Sequence, residues 1–357
     1  VEARPDALRI AITVDPNIPV PPTLYGGIER VADFLVRGLV SRGHDVTILA
    51  HPASRTAGRL VPYGRRPHTS RRSRLTELWQ VGAYLTRHLR SFDLIHSFGR
   101  LAALVPVLPA RWIPKIQSYQ RDEVPWSSVR TAVRLGGRSV AFTGCSTSVY
   151  RDRDRYGASA GTWHTIFNGA DLSKYTLSPA VAADAPLVFL GRLEWYKGPQ
   201  HAIAIARRAG RRLVIAGPKK EDGEGPAFFE REIAPQLDEQ ITWVGQVDDE
   251  QKNALLGSAA AFLMPIEWEE PFGIVMAEAL ACGTPVIGYP RGSVPEVVRD
   301  GVNGFIADSV ERAAAAVARL AAIDRRAVRA DCEARFSDRA IVDAYLALYR
   351  AMIEATA

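Results

Sequence analysis

The feature that most constrains this 357-residue chain is a pattern that occurs twice: a short apolar strand signal, a loop with glycine or proline, then a helix signal. In the first half, residues 8–14 read as a strand. A proline-rich loop follows and ends in Tyr25, Gly26 and Gly27. Residues 28–40 then read as a helix with Ile28, Val31, Leu35 and Leu39 on one face. Strands are predicted at 45–50, 92–96, 113–119 and 139–145, and a helix at 77–90. The stretch 178–186, rich in Ala and Pro, predicts a linker. Beyond it come strands at 187–190, 212–216, 241–244, 261–264 and 285–288. Helices are predicted between them at 199–208, about 227–234, 250–257 and 273–281. Strands that alternate with helices imply parallel sheets with helices on both faces. The expected class is α/β: two doubly wound, Rossmann-like domains facing a cleft, with ligands at the carboxyl ends of the strands. A last amphipathic helix at 337–353 can pack on either domain.

Two loops after strands in the second half carry chemistry. The run from Glu269 to Glu278 leaves the strand at 261–264 and opens a helix. Pro271 suits a first turn, where its missing N–H costs nothing. Gly273 lets a ligand approach the backbone. Free N–H groups around Gly273, Ile274 and Val275, with the helix dipole, favour an anion there. Glu270 stands just before that point. Glu278 lies about one and a half turns into the helix, where a carboxylate can accept two hydroxyl hydrogen bonds. Acids that only stabilise a helix dipole would account for Glu269 and Glu270, but not for the inserted Pro-Phe-Gly. The second loop, Gly191-Arg-Leu-Glu-Trp-Tyr-Lys-Gly198, projects Arg192 and Lys197, two cations suited to a pyrophosphate that gains charge as it leaves. The paired glycines Gly26 and Gly27 open a third site, short of a full G-x-G-x-x-G fingerprint.

Together these motifs resemble those of the family 4 glycosyltransferases, a retaining group with the two-domain GT-B fold. The most specific match is Glu270-x7-Glu278, continuing to Ala-Leu-Ala-Cys-Gly-Thr-Pro-Val. Gly191-Arg-Leu, Lys197-Gly198, Asn168-Gly-Ala-Asp171 and Gly292-Ser-Val-Pro-Glu-Val also match. The resemblance implies an acceptor-side domain over 1–180, a nucleotide-sugar domain over 181–336, and a last helix, 337–357, that returns to the first. It implies that Arg192 and Lys197 bind the donor diphosphate. Glu270 would hold the donor sugar, helped by backbone N–H groups from Phe272 to Val275, and Glu278 the ribose. Gly27 would line the phosphate side, Asn168 the crossover, and Val244 and Gly245 the base. Many relatives carry His-x-His where this chain has His96-Ser-Phe98. His96 therefore reads as a core histidine, or one just behind the site on the acceptor side, and Phe98 as a shaper of the acceptor pocket.

The implied reaction transfers a sugar from a nucleoside-diphosphate sugar, UDP-, GDP- or ADP-linked, to a glycan, lipid or small molecule, with retention. The leaving phosphate takes the acceptor's proton, and no metal is expected. Asp152-Arg-Asp154 fits a D-x-D metal pattern, but lies in a charge-rich run that reads as a solvated face. Rival readings are a sugar-nucleotide epimerase or phosphorylase on the same architecture, or a non-catalytic nucleotide-sugar-binding protein. Net charge is +6, and seven arginines with no acid lie from Arg55 to Arg74, a patch that suits phosphates or an anionic membrane. No nucleic-acid motif accompanies it. Three scattered cysteines, no apolar run near 18–20 residues and no signal pattern at the start favour a cytoplasmic protein, peripheral at most to the inner membrane face.

Overall fold

The computed structural model describes residues 7–22, 26–64, 71–220, 223 and 225–356, with the backbone alone at 71 and 72. The chain forms two compact units, Val1–Asn168 with Asp338–Ala357, and Gly169–Ser337. The first contains β1 (Arg9–Thr13), α1 (Gly27–Ser41), β2 (Asp45–Ala50), β3 (Arg59–Pro62), α2 (Arg71–Arg87), β4 (Leu94–Ser97), β5 (Lys115–Tyr119), α3 (Trp126–Gly136), β6 (Val140–Gly144) and β7 (Thr162–Thr165). The second contains β8 (Leu187–Leu190), α4 (Pro199–Arg208), β9 (Leu213–Ala216), α5 (Gly225–Phe228), β10 (Ile241–Trp243), α6 (Asp249–Ser258), β11 (Ala261–Met264), α7 (Ile274–Ala281), β12 (Val286–Gly288), α8 (Val294–Val297), β13 (Gly304–Ile306), α9 (Val310–Val317) and α10 (Arg325–Phe336). The last helix, α11 (Asp338–Thr356), belongs to the first unit.

Both sheets are parallel. Their orders are β3-β2-β1-β4-β5-β6-β7 and β10-β9-β8-β11-β12-β13. Each order reverses direction once, at β1/β4 and at β8/β11, and a crevice opens beyond the strand ends at such a point. In the first unit, one sheet face carries Ala11, Ile95, Phe142 and Trp163. It is packed by Val81 and Leu85 of α2, Val129 and Ala132 of α3, and the 3-10 stretch Leu101–Val107. The opposite face carries His96 and Ser118 and meets α11. Helix α11 also approaches α1 closely: a Cβ on Gly38 would lie 2.6 Å from Val342 Cγ2, so a larger side chain there would push the helices apart.

Three strands escape the pattern reading. β3, β7 and β13 have only three or four residues each, and Arg59, Thr162 and Gly304 bring no apolar alternation. α2 starts earlier than the predicted 77. The predicted helix at 227–234 is a short α5 followed by a π turn, Phe229–Ile233. The unit boundary falls after Asn168, not near 180, because residues 169–180 are bonded into the second unit. The Ala170 N–H donates to the Phe336 carbonyl, and the Ser178 N–H to that of Cys282. The stretch read as a linker thus starts on the surface of the second unit, where the Ser178 carbonyl accepts from Arg325.

Candidate functional site

Lys197 follows β8 and Glu270 follows β11, the two strands at the reversal point of the second sheet. Lys197 Nζ lies 2.7 Å from Glu270 Oε2, with both side chains largely buried. The Trp268 indole N–H donates to the same oxygen at 3.0 Å, and the lysine ammonium sits 4.4 Å from the Trp268 ring centroid. The cation is held by a carboxylate and an aromatic face together, which fixes its position without filling its coordination.

Backbone geometry explains why these loops need glycine. Gly198 has φ +81°, and a Cβ there would lie 2.0 Å from the Pro265 carbonyl oxygen. Only glycine lets the first loop cross the end of β11. Gly292, at φ +54°, comes so near Glu270 that a Cβ would meet its backbone at 2.2 Å. The same segment fastens the Glu270 loop. Gly292 N–H donates to Glu269, Ser293 N–H to the Glu270 carbonyl, and Ser293 Oγ to the Phe272 carbonyl. The Gly292-Ser-Val-Pro-Glu-Val motif, matched by sequence without a role, is thus the clamp on Glu270. Gly273, in the left-handed region, precedes α7 and gives it no side-chain cap, so the first-turn N–H groups of Ile274 and Val275 gain no acceptor from it.

Arg192 stands slightly apart. Its Nη2 is 3.1 Å from Glu194 Oε2 and donates to the Tyr196 hydroxyl at 3.3 Å. Lys220 lies 3.5 Å from the other Glu194 oxygen. This buried carboxylate orients two cations at the edge of a cavity of about 560 Å³, lined by Trp195, Tyr196, Phe228 and Arg231 among others. Beyond β8, β9 and β10 the chain passes through Gly191, Gly217 and Gly245. Gly217 packs on the Gly191 carbonyl and donates to that of Gly245. Val244, beside them, is 52% exposed, an unusual place for a large apolar side chain.

Glu278 is buried in α7. One of its carboxylate oxygens accepts from the Tyr175 hydroxyl at 2.6 Å and from Lys252 Nζ at 2.5 Å. Lys252 is also 3.5 Å from Asp249, which pairs with Lys174. Tyr175 and Lys252 went unnoticed in the sequence because their partner lies 26 to 103 residues away. The two glutamates of the motif therefore have separate environments: Glu270 with Lys197 and Trp268, Glu278 with Lys252 and Tyr175.

Two family models tile the chain. Residues 25–174 match Glycosyltransferase Family 4 and residues 181–335 match Glycosyl transferases group 1. This chain belongs to glycosyltransferase family 4. The Mycobacterium tuberculosis protein named glycogen synthase is 26% identical over 331 residues, covering 80% of this chain and 79% of that one. Among solved structures, a glycosyltransferase involved in avilamycin A biosynthesis is 25% identical, covers 98% of both chains and superposes with TM-score 0.68. HepE of Anabaena, solved with UDP and glucose, shares the fold at 20% identity and TM-score 0.72, covering 96% of this chain and 100% of that one. The fold of this glycosyltransferase is GT-B.

The remaining predicted residues of the glycosyltransferase lie in its first unit. Gly26 precedes α1 at φ +154°, against Pro22 and the Glu29 carboxylate; Gly27 opens the helix, and Tyr25 is outside the described residues. Burial pushes the Glu29 carboxyl up, and the Asp15 charge pushes it further in the same direction. Asn168 is buried, and its Oδ1 finds no partner among the described residues. His96 has no exposure. Its ring nitrogens meet the Tyr349 hydroxyl at 2.6 Å and the Ser118 hydroxyl at 2.7 Å, and burial lowers its pKa to about 3. Strand alternation turns it toward α11, into the core, and Phe98 packs on it at 4.3 Å. Asp152 and Asp154 pair with Arg155 and Arg153, and no group of three metal-ligating side chains occurs among the described residues. All three cysteines are buried and none forms a disulfide among the described residues; burial raises Cys282 and Cys332 to about 12, which leaves both as inert thiols.

Proposed function

We propose that this chain is a retaining hexosyltransferase that moves a sugar from a nucleoside-diphosphate donor to a glycan, lipid or small-molecule acceptor. The observation that carries this reading is the Lys197–Glu270 pair at the strand-reversal point, beside an uncapped helix start. A diphosphate placed there meets the Lys197 ammonium, the Arg192 guanidinium and backbone N–H groups of Ile274 and Val275. These charges oppose the negative charge that develops as the diphosphate leaves, and they need no reorganisation to do so. Glu270, relieved of part of its pairing as Lys197 turns to phosphate, is free to accept sugar hydroxyls. Glu278 takes the ribose through its second oxygen, while Lys252 and Tyr175 fix the first. The glycine floor at Gly191, Gly217 and Gly245, with exposed Val244, suits a flat base. The acceptor meets the first unit, and its proton goes to the leaving phosphate, so the protein acts by positioning and charge neutralisation. That HepE was solved with UDP and glucose supports a nucleotide-sugar donor.

The protein is proposed to work in the cytoplasm without a metal cofactor. A second surface supports attachment to an anionic inner-membrane face. Arg55, Arg59 and Arg74 are exposed, and on α2, which carries Arg74, Leu75 and Trp79 are 66% and 72% exposed. Arg65 and Arg66 and the side chains of Arg71 and Arg72 lie outside the described residues. Among the described residues no helix is long and apolar enough to cross a membrane. A thermal-shift screen with UDP, GDP, ADP and TDP, then the matching sugars with EDTA present, tests the donor half. Proton NMR of the trapped product should show the donor's anomeric configuration. An inverted product, an epimerised donor, a sugar phosphate or complete loss of turnover in EDTA would each overturn the reading.

A further inference from the structure

Trp268 meets the two charged groups of the candidate site with two different parts of one ring. Its in-plane N–H donates to Glu270 Oε2 at 3.0 Å, and its face lies 4.4 Å from Lys197 Nζ. The lysine donates to the same carboxylate oxygen at 2.7 Å. Both donors converge on Oε2. The other oxygen, Oε1, accepts from no described residue and is reached by solvent. The indole is held from both sides. The Glu270 N–H donates to the Trp268 carbonyl at 3.0 Å, which closes a tight turn around the tryptophan. The Glu267 N–H donates to the Tyr196 carbonyl at 2.8 Å, and the Tyr196 ring tilts against the indole with centroids 5.6 Å apart. His201 Nε2, in α4, lies 3.0 Å from Glu267 Oε1. These contacts tie the loop that carries Trp268 to the loop and helix that follow Lys197.

We propose that Trp268 is a positioning residue: it aims the open oxygen of Glu270 at a hydroxyl of the donor sugar, and holds it there once Lys197 has turned to the diphosphate. The inference rests on the donor site proposed above and deepens it, because it makes Trp268 a determinant of the sugar and not of the nucleotide. Once Lys197 turns away, Glu270 is a largely buried carboxylate beside an anionic diphosphate, and repulsion drives it off. A charge-assisted bond from the indole opposes that. The indole N–H belongs to a neutral ring fixed in its turn, so the phosphate does not draw it away as it draws an ammonium. With Oε2 fixed by the ring, Oε1 presents its lone pairs in one direction, as recognition of one hydroxyl requires. The aromatic face gives Lys197 a hold without a preferred bond direction, so the ammonium can swing between carboxylate and phosphate and stay over the ring. Phenylalanine has the face and lacks the N–H, which separates the two functions.

The test uses the full chain with Trp268→Phe and Trp268→Leu. Calorimetry is run with UDP, GDP and ADP, then with the glucose, galactose, mannose and N-acetylglucosamine esters of whichever binds. Trp268→Phe should bind the nucleoside diphosphate as tightly as the parent. It should lose about tenfold in affinity for the sugar nucleotide, one hydrogen bond to a charged group. Trp268→Leu, which removes the face as well, should also weaken the diphosphate by about threefold. In a Glu270→Ala background Trp268→Phe should have no further effect, because the indole acts through Glu270. The Tm of Trp268→Phe should lie within about 2 °C of the parent. Parent and Trp268→Phe binding the sugar nucleotide equally, an equal loss for diphosphate and sugar nucleotide, or an undiminished effect without Glu270 would each overturn the proposal. So would a parent that binds the diphosphate and none of its sugar esters. A variant too unstable to fold would make the indole a structural strut and overturn it as well. A parent that binds no nucleoside diphosphate would sink the glycosyltransfer reading itself, whereas the other failures remove Trp268 alone.

Discussion

The carboxyl ends of the two sheets have the same topology and opposite chemistry. In the second unit the candidate site is built from charges that have found partners: Lys197 with Glu270, Arg192 and Lys220 with Glu194, Lys252 with Glu278. At the same end of the first sheet, Thr13 Oγ1, Ser97 Oγ and Gln117 Oε1 are buried with no hydrogen-bond partner among the described residues, while Gln117 Nε2 donates to the Gly99 and Ser118 carbonyls. A site for a charged ligand must hold its cations in place before the ligand arrives, and carboxylates do that. Buried neutral atoms left without a partner cost the chain stability instead.

The sharpest way to break this comparison is Lys197→Ala. Turnover should fall by about 10²–10³-fold, as for loss of one preorganised donor to developing charge. Unchanged kcat would remove Lys197 from the diphosphate site. Lys252→Met comes next. It leaves the Glu278 carboxylate buried without its cation, which should cost about 3 kcal/mol, seen as a lower midpoint in urea and a raised KM for donor. Wild-type stability would mean that water replaces the ammonium at no cost. Gly198→Ala should cost about 1–3 kcal/mol from positive φ alone, with further loss from the contact with Pro265; an unaltered Tm would show that the loop crossing is looser than its geometry.

The smallest effect concerns His96. Its folded pKa is about 3, against 6.5 ordinarily, so between these values the unfolded chain binds the extra proton. Stability should fall as pH drops through that window. His96→Gln should flatten the slope between pH 6.5 and 5 by less than one bound proton, read from urea midpoints. An unchanged slope would mean that the ring is charged in the native state.

What was legible in the sequence follows from the same contrast. The second-unit candidate site was legible because Arg192, Lys197 and Glu270 lie on short loops with glycines at fixed spacing and Glu278 lies in the helix that the second loop opens. Tyr175 and Lys252 were not, since nothing local marks a tyrosine and a lysine as partners of one distant carboxylate. The buried row in the first unit was hidden for another reason. Thr13, Ser97 and Gln117 become neighbours only through strand register, and register between β1, β4 and β5 is set by packing across more than a hundred residues. His96, read from the sequence as a histidine of the core or just behind the site, is turned by alternation along β4 toward α11, while its neighbour Ser97 is buried on the opposite face.

The membership of α11 in the first unit also bears on how the chain is made. The second unit is one unbroken stretch and has all its strands once residue 337 has left the ribosome. The first unit begins earlier but finishes later: until α11 emerges, His96 lacks the Tyr349 hydroxyl and one sheet face lacks its cover. The usual order, with the N-terminal domain completed first, is thus reversed during synthesis: all seven strands of the first sheet are made early, but the sheet waits without α11 while its neighbour folds.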